Sequence, residues 1–167
     1  MTVTPLQGAV QRCSLHALLL ITTQVLKRQG FDDVHVLDRR QSRERSRFGG
    51  HELLVEGHVG DLPVTAIVKV IRDSARIRNL DELVGAVDRR GADLGILVTP
   101  HHVTRTAVTV LSDYKSGRIE VIDGATFTDL MRRFRIGVRG KDDVDYAFFG
   151  GIEEASQQYL KLLKELL

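Results

Sequence analysis

Residues 49–69 read GGHELLVEGHVGDLPVTAIVK, and the fold of the chain turns on how they pair. His51–His58 and Val64–Ile71 are apolar, β-branched runs, and Gly60, Asp61, Leu62 and Pro63 between them supply a turn-prone break. Two consecutive antiparallel strands are therefore expected. Side chains alternate along a strand, so Glu52, Leu54, Glu56 and His58 share one face of the first strand, and Thr65, Ile67, Lys69 and Ile71 share one face of the second. A carboxylate and an ammonium meet across such a pair, either as a cross-strand ion pair that fixes register or as part of a chemical site.

Working outward, apolar residues at Leu15, Leu18, Leu19, Val25 and Leu26 follow the spacing of an amphipathic helix, with Ser14 as its cap and Gly30 as its stop. Val34–Leu37 makes a short strand. Beyond Lys69, Leu80, Leu83, Val84 and Val87 mark a helical stripe that Gly91 ends, and Leu94–Val98 is a continuous apolar run of the kind buried on both faces of a sheet. A further helix is expected from Val103 to about Ser112, and a further strand from Arg118 to Ile122. The pattern is that of an α/β domain, a central sheet covered by helices on both sides.

The residues that carry chemistry add a family resemblance. GGHEL followed by AIVK resembles the acidic motif and the (D/E/Q)xK motif of the Mrr-type branch of the PD-(D/E)xK restriction endonuclease superfamily. GADLGILVTP and IDGATFTDLM, downstream, are similar to segments of the same branch, and the resemblance covers about Leu15 to Val138. It implies a restriction-endonuclease-like three-layer sandwich with a mixed sheet. It also implies that Glu52 stands on the metal-binding acid, Lys69 on the catalytic lysine, and Gln24 on a helical Glu that assists the site. The departure is Ile67, two residues before the lysine, where the pattern asks for a side chain with an oxygen.

Magnesium is the cofactor the resemblance implies, with Glu52 and the backbone carbonyl of Val68 as ligands. Glu56, on the same face as Glu52, is the candidate for a second carboxylate, since a hard cation prefers several oxygen ligands. Arg39, Arg40, Arg43, Arg45 and Arg47 crowd nine residues ahead of the first motif and suit phosphate contacts, although charge runs of this kind are often only solvated loops. Thr99, Thr104 and Arg105 follow the buried strand, where α/β sheets place binding groups, and are further candidates for contacting DNA. His101 and His102 lack a Cys, Asp or Glu at a short ligand spacing, which argues against zinc.

At 167 residues, 43% hydrophobic and 28% charged, the chain has the composition of one globular domain. Its formal net charge of +2 is too small for a polycation, so any nucleic-acid contact depends on where the basic residues sit. A lone cysteine, Cys13, excludes an internal disulfide and a multi-cysteine zinc site. No stretch near the N-terminus is long and apolar enough for a membrane span or signal core, so a cytoplasmic location without membrane contact is expected. Gly150 and Gly151 are read as a break between a domain over 1–149 and an amphipathic helix over 150–167. The leucines of that helix, Leu160, Leu162, Leu163, Leu166 and Leu167, either cover the domain or pair two copies as a homodimer.

The expected function is that of a nucleic-acid-binding protein acting on DNA, with cleavage impaired or lost through Ile67. Two alternatives stay open: a magnesium-dependent DNA endonuclease using Glu52 and Lys69, and a scaffold or dimerisation module without chemistry.

Overall fold

In a computed structural model that describes residues 2–36, 51–113 and 118–166, the quoted stretch forms strands β2 (His51–Val59) and β3 (Leu62–Val70). The turn between them is tighter than the sequence suggests, because Leu62 and Pro63 already belong to β3 and Pro63 faces His58. Gly60 takes φ +61°, the conformation a two-residue hairpin turn asks of a leading glycine. The preceding strand, β1 (Asp33–Val36), pairs antiparallel with β2, while β4 (Leu94–Val98) and β5 (Ile119–Ile122) run parallel to β3. The sheet is mixed, in the order β1-β2-β3-β4-β5, and β3 is its middle strand.

Period-two alternation on β3 splits the core in two. Ala66, Val68 and Val70 face one cluster, built with α1 (Pro5–Arg12), α2 (Leu15–Arg28), α5 (Gly124–Arg133) and the start of α6 (Tyr146–Leu166). Ile67 and Ile71 face the other, built with Leu80, Leu83, Ala86 and Val87 of α3 (Ile77–Arg90) and Ala107 of α4 (Arg105–Asp113). The result is the expected three-layer α/β sandwich. Gly95 of β4 lets α3 lie close to the sheet, since a Cβ there would stand 2.9 Å from Val87 and 3.0 Å from Leu83.

Caps fall largely where the residue types put them. The Ser14 hydroxyl accepts from Ala17 N–H at 3.1 Å, the Asp123 carboxylate accepts from Thr126 N–H at 2.9 Å, and Gly91 ends α3 in the left-handed region. Two elements were not expected: the capped helix α1, and a small hairpin of β6 (Val138–Arg139) and β7 (Asp143–Val144).

The C-terminal helix differs from its sequence reading. It begins at Tyr146 and runs through Gly150 and Gly151 without a break. Each glycine costs a helix roughly 1 kcal/mol relative to alanine, and tertiary packing offsets this: Phe149 and Ile152 are buried in the first cluster, and the Glu153 carboxylate accepts from Ser14 N–H at 2.7 Å. The first half of α6 therefore covers the domain itself. The side chains of Leu160, Leu162, Leu163, Leu166 and Leu167 lie outside the described residues. Cys13 is buried and donates to Ala9 O, and burial, with help from Glu153, pushes its thiol up to about 12. Among the described residues no helix is long and apolar enough to cross a membrane.

Gly124 seats α5 against the loop leaving β4: a Cβ there would lie 2.3 Å from the carbonyl oxygen of Pro100, a backbone atom that cannot turn aside. Gly124→Ala is expected to lower stability by about 1–3 kcal/mol in urea unfolding. A midpoint unchanged from the native protein would refute this close approach.

Candidate active site

Lys69 is among the largest fully buried side chains of the described residues, and the one charged member of that group, at 0% exposure. It lies on the α3 face of the middle strand, between Ile67 and Ile71, directly opposite Glu52 in the β2–β3 register. From the other side α3 supplies Glu82, whose carboxylate forms an ion pair with the Lys69 ammonium and keeps 23% of its side chain in contact with solvent. Burial pushes the lysine below its ordinary pKa, and the Glu52 carboxylate pulls it part of the way back. Two carboxylates thus converge on one desolvated ammonium at the end of the sheet where β3 leaves it.

Glu82 is the residue that sequence reasoning missed. It lies thirteen positions from Lys69 and belongs to no strand motif. The available signal was helical phase: Leu80 and Leu83 mark the buried stripe, and Glu82 stands beside Leu83 on its flank. Only the seating of α3 on the sheet turns that flank toward Lys69.

The other expected residues divide. Val68 is paired with Leu53 and Ile96 on its two sides, and a carbonyl oxygen engaged in a ladder bond still has a second lone pair. Ile67 is buried in the α3-side core and contributes only packing. Glu56 is exposed and pairs with Thr65, four residues along β2 from Glu52. At about 3.4 Å per residue, roughly 13 Å separate the two, too far to share one ion. Gln24 is exposed on α2, a helix that packs on the opposite face of the sheet. The geometry therefore brings neither Glu56 nor Gln24 to Lys69.

Thr99 is fully buried, and its hydroxyl donates to Asp73 O at 2.6 Å while accepting from His101 N–H at 3.1 Å. It pins the loops rather than facing solvent. Thr104 is half-buried, and its hydroxyl caps α4 by accepting from Ala107 N–H at 3.3 Å; Arg105 is exposed. Arg39, Arg40, Arg43, Arg45 and Arg47 lie outside the described residues. His102 has Ser74 as its neighbour at 3.4 Å, and among the described residues no group of three or more His, Cys, Asp or Glu could hold a metal.

Residues 10–131 match the family model Mrr_cat, described as restriction endonuclease. The chain belongs to the Mrr-type restriction endonuclease family. Members of this family typically depend on a metal ion, and carboxylate and carbonyl oxygens, the groups Glu52, Glu82 and Val68 carry, are the donor type a hard divalent cation takes. The chain is similar in fold to the DNA modification-dependent restriction endonuclease AspBHI, with a TM-score of 0.62 at 18% identity over 93% of this chain and 41% of that one. It also matches the MspJI restriction endonuclease in complex with a 27-mer oligonucleotide, with a TM-score of 0.46 at 16% identity over 84% of this chain and 31% of that one. The chain thus spans less than half the length of either neighbour. Among curated proteins none matches the sequence.

Because Lys69 is depressed below its ordinary value of 10.5, it gives up its proton in the native state before it does so in the unfolded chain. The cost of burying its charge is therefore fully present below the folded value and fades as pH rises through that value toward 10.5. Glu82→Gln removes a counter-charge from that ammonium and is expected to destabilise by about 1–3 kcal/mol at pH 7, with a smaller deficit at pH 10. Urea unfolding at the two pH values checks this. An equal deficit at both would show that Glu82 acts through packing alone.

Proposed function

We propose that this domain is a metal-dependent nuclease acting on DNA, in which Glu82 of α3 supplies the carboxylate that position 67 lacks. The reading rests on one observation: a wholly buried lysine flanked by Glu52 across the strand pair and by Glu82 from the helix. In this reading Glu52 and Glu82, with the Val68 carbonyl, hold the ion. A bound magnesium or manganese ion would supply an activated water and offset charge building on the phosphate. Lys69 neutralises part of the carboxylates' charge, so that a polyanionic strand can approach, and its desolvated ammonium interacts strongly with a scissile phosphate because little water screens it. The part of Glu82 left in contact with solvent marks the side from which substrate and ion would enter.

A second reading, DNA binding with impaired or lost cleavage, is favoured by Ile67: the strand position that should carry a ligand is packed into the core, and Glu82 is already engaged by Lys69. The two readings separate in an assay of supercoiled DNA with magnesium, manganese or chelator. The nuclease reading expects nicking that requires metal and falls by about 100-fold or more in Glu52→Ala, Lys69→Ala and Glu82→Ala. Retention of activity in Glu82→Ala would remove Glu82 from the site, and absence of nicking under every condition would leave the binding reading.

A homodimer through the last turns of α6 belongs to the same proposal, since cutting both strands of a duplex calls for two sites. Sedimentation velocity of the native chain beside a chain ending at residue 159 is expected to show a dimer only in the former. A monomer in both would rule the dimer out.

A further inference from the structure

Beyond Lys69 the sheet opens into a cleft of about 660 Å³, whose walls come from the chain leaving β3, the first turn of α3, the start of α4 and Leu15 at the start of α2. Ile71 lines it, two residues past Lys69 on the same strand face, so the cleft begins about 7 Å from the lysine. Its lining carries Arg72, Arg76 and Arg78 against a single carboxylate, Asp73. Arg72 and Arg76 are exposed, and neither enters an ion pair among the described residues. Across from them stand the hydroxyl residues Thr104 and Thr106.

The cleft is preformed. Ala75 N–H donates to His102 O at 2.9 Å, Thr104 N–H donates to Ala75 O at 2.9 Å, and the buried Thr99 hydroxyl holds Asp73 O, so both walls are tied to each other and to β4. Arg72 and Arg76 stand close together on a concave surface beside one carboxylate, and an anion bound between them would offset their mutual repulsion. Guanidinium groups and hydroxyls are the groups that bind phosphate oxygens of a nucleic-acid backbone irrespective of sequence.

We propose that this cleft takes the sugar-phosphate backbone of the DNA strand next to the phosphate at Lys69, with Arg72 and Arg76 as its charged contacts and Thr104 and Thr106 as hydroxyl donors. It deepens the reading of the domain as DNA-acting, but does not require that cleavage occur. The cleft sets where the strand lies and contributes affinity.

The test is fluorescence anisotropy of a labelled duplex with the full chain, in chelator so that nothing is cut, across a salt series. Arg72→Gln combined with Arg76→Gln is expected to weaken binding about tenfold at physiological salt and to reduce the slope of log K against log salt by about 2, since each guanidinium neutralises one phosphate. Arg89→Gln combined with Arg90→Gln, at the far end of α3, is the control and is expected to leave affinity within about twofold. Native affinity and slope in the Arg72/Arg76 variant would overturn the proposal, as would an equal weakening in the control, which would indicate a diffuse charge effect. Failure of native protein to bind the duplex would overturn it too, leaving the cleft to another class of partner. Cleft-dependent binding without nicking in the cleavage assay would retain this inference while removing the nuclease reading.

Discussion

An ammonium group without exposure to water sits on the middle strand of the sheet, and the surrounding structure is arranged to tolerate it. Leaving such a charge uncompensated costs several kcal/mol. Two carboxylates offset the cost, and they arrive by different routes: Glu52 through strand register, Glu82 through the seating of a helix. The pair with Glu82 is not fully enclosed, since that side chain retains solvent contact, and this keeps the site reachable from outside. A buried ion pair of this kind is poor evidence for stability, because apolar replacements of similar volume often serve as well or better.

The rest of the fold holds those three groups in place. The β2–β3 hairpin keeps Glu52 opposite Lys69, and a one-residue slip would send the lysine to the other face of the sheet. Gly95 removes the side chain that would hold α3 away, and Leu80, Leu83 and Val87 fill the space between helix and sheet. On the opposite face α1, α2, α5 and the start of α6 form a larger core that anchors β3 from behind. Thr99 then links the exits of β3 and β4, so the cleft beside the lysine has walls that do not depend on a ligand for their shape.

Family membership and local geometry carry different parts of the functional argument. The match over residues 10–131 places the chain among restriction endonucleases, and the structural likeness to AspBHI supports the fold at 18% identity. Neither speaks to the departure at Ile67. The arrangement around Lys69 does, by placing a carboxylate from α3 beside the lysine, where the strand motif offers only a hydrocarbon.

Local pattern alone determined the strands of the five-stranded sheet, the β2–β3 hairpin, the facing of Glu52 and Lys69, and the caps at Ser14 and Gly91, because each follows from alternation, helical phase or a residue type that suits one backbone conformation. It also determined that position 67 carries no metal-binding oxygen. Tertiary structure decided what periodicity does not encode: that α6 runs through two glycines once Phe149 and Ile152 are buried, that Gln24 faces away from the site, and that Glu56 is too far along β2 to help. The pairing of Lys69 with Glu82 belongs to the same class. The two residues lie on elements whose relative position is fixed by how α3 packs on the sheet, and that packing is a property of the whole core rather than of any stretch of sequence.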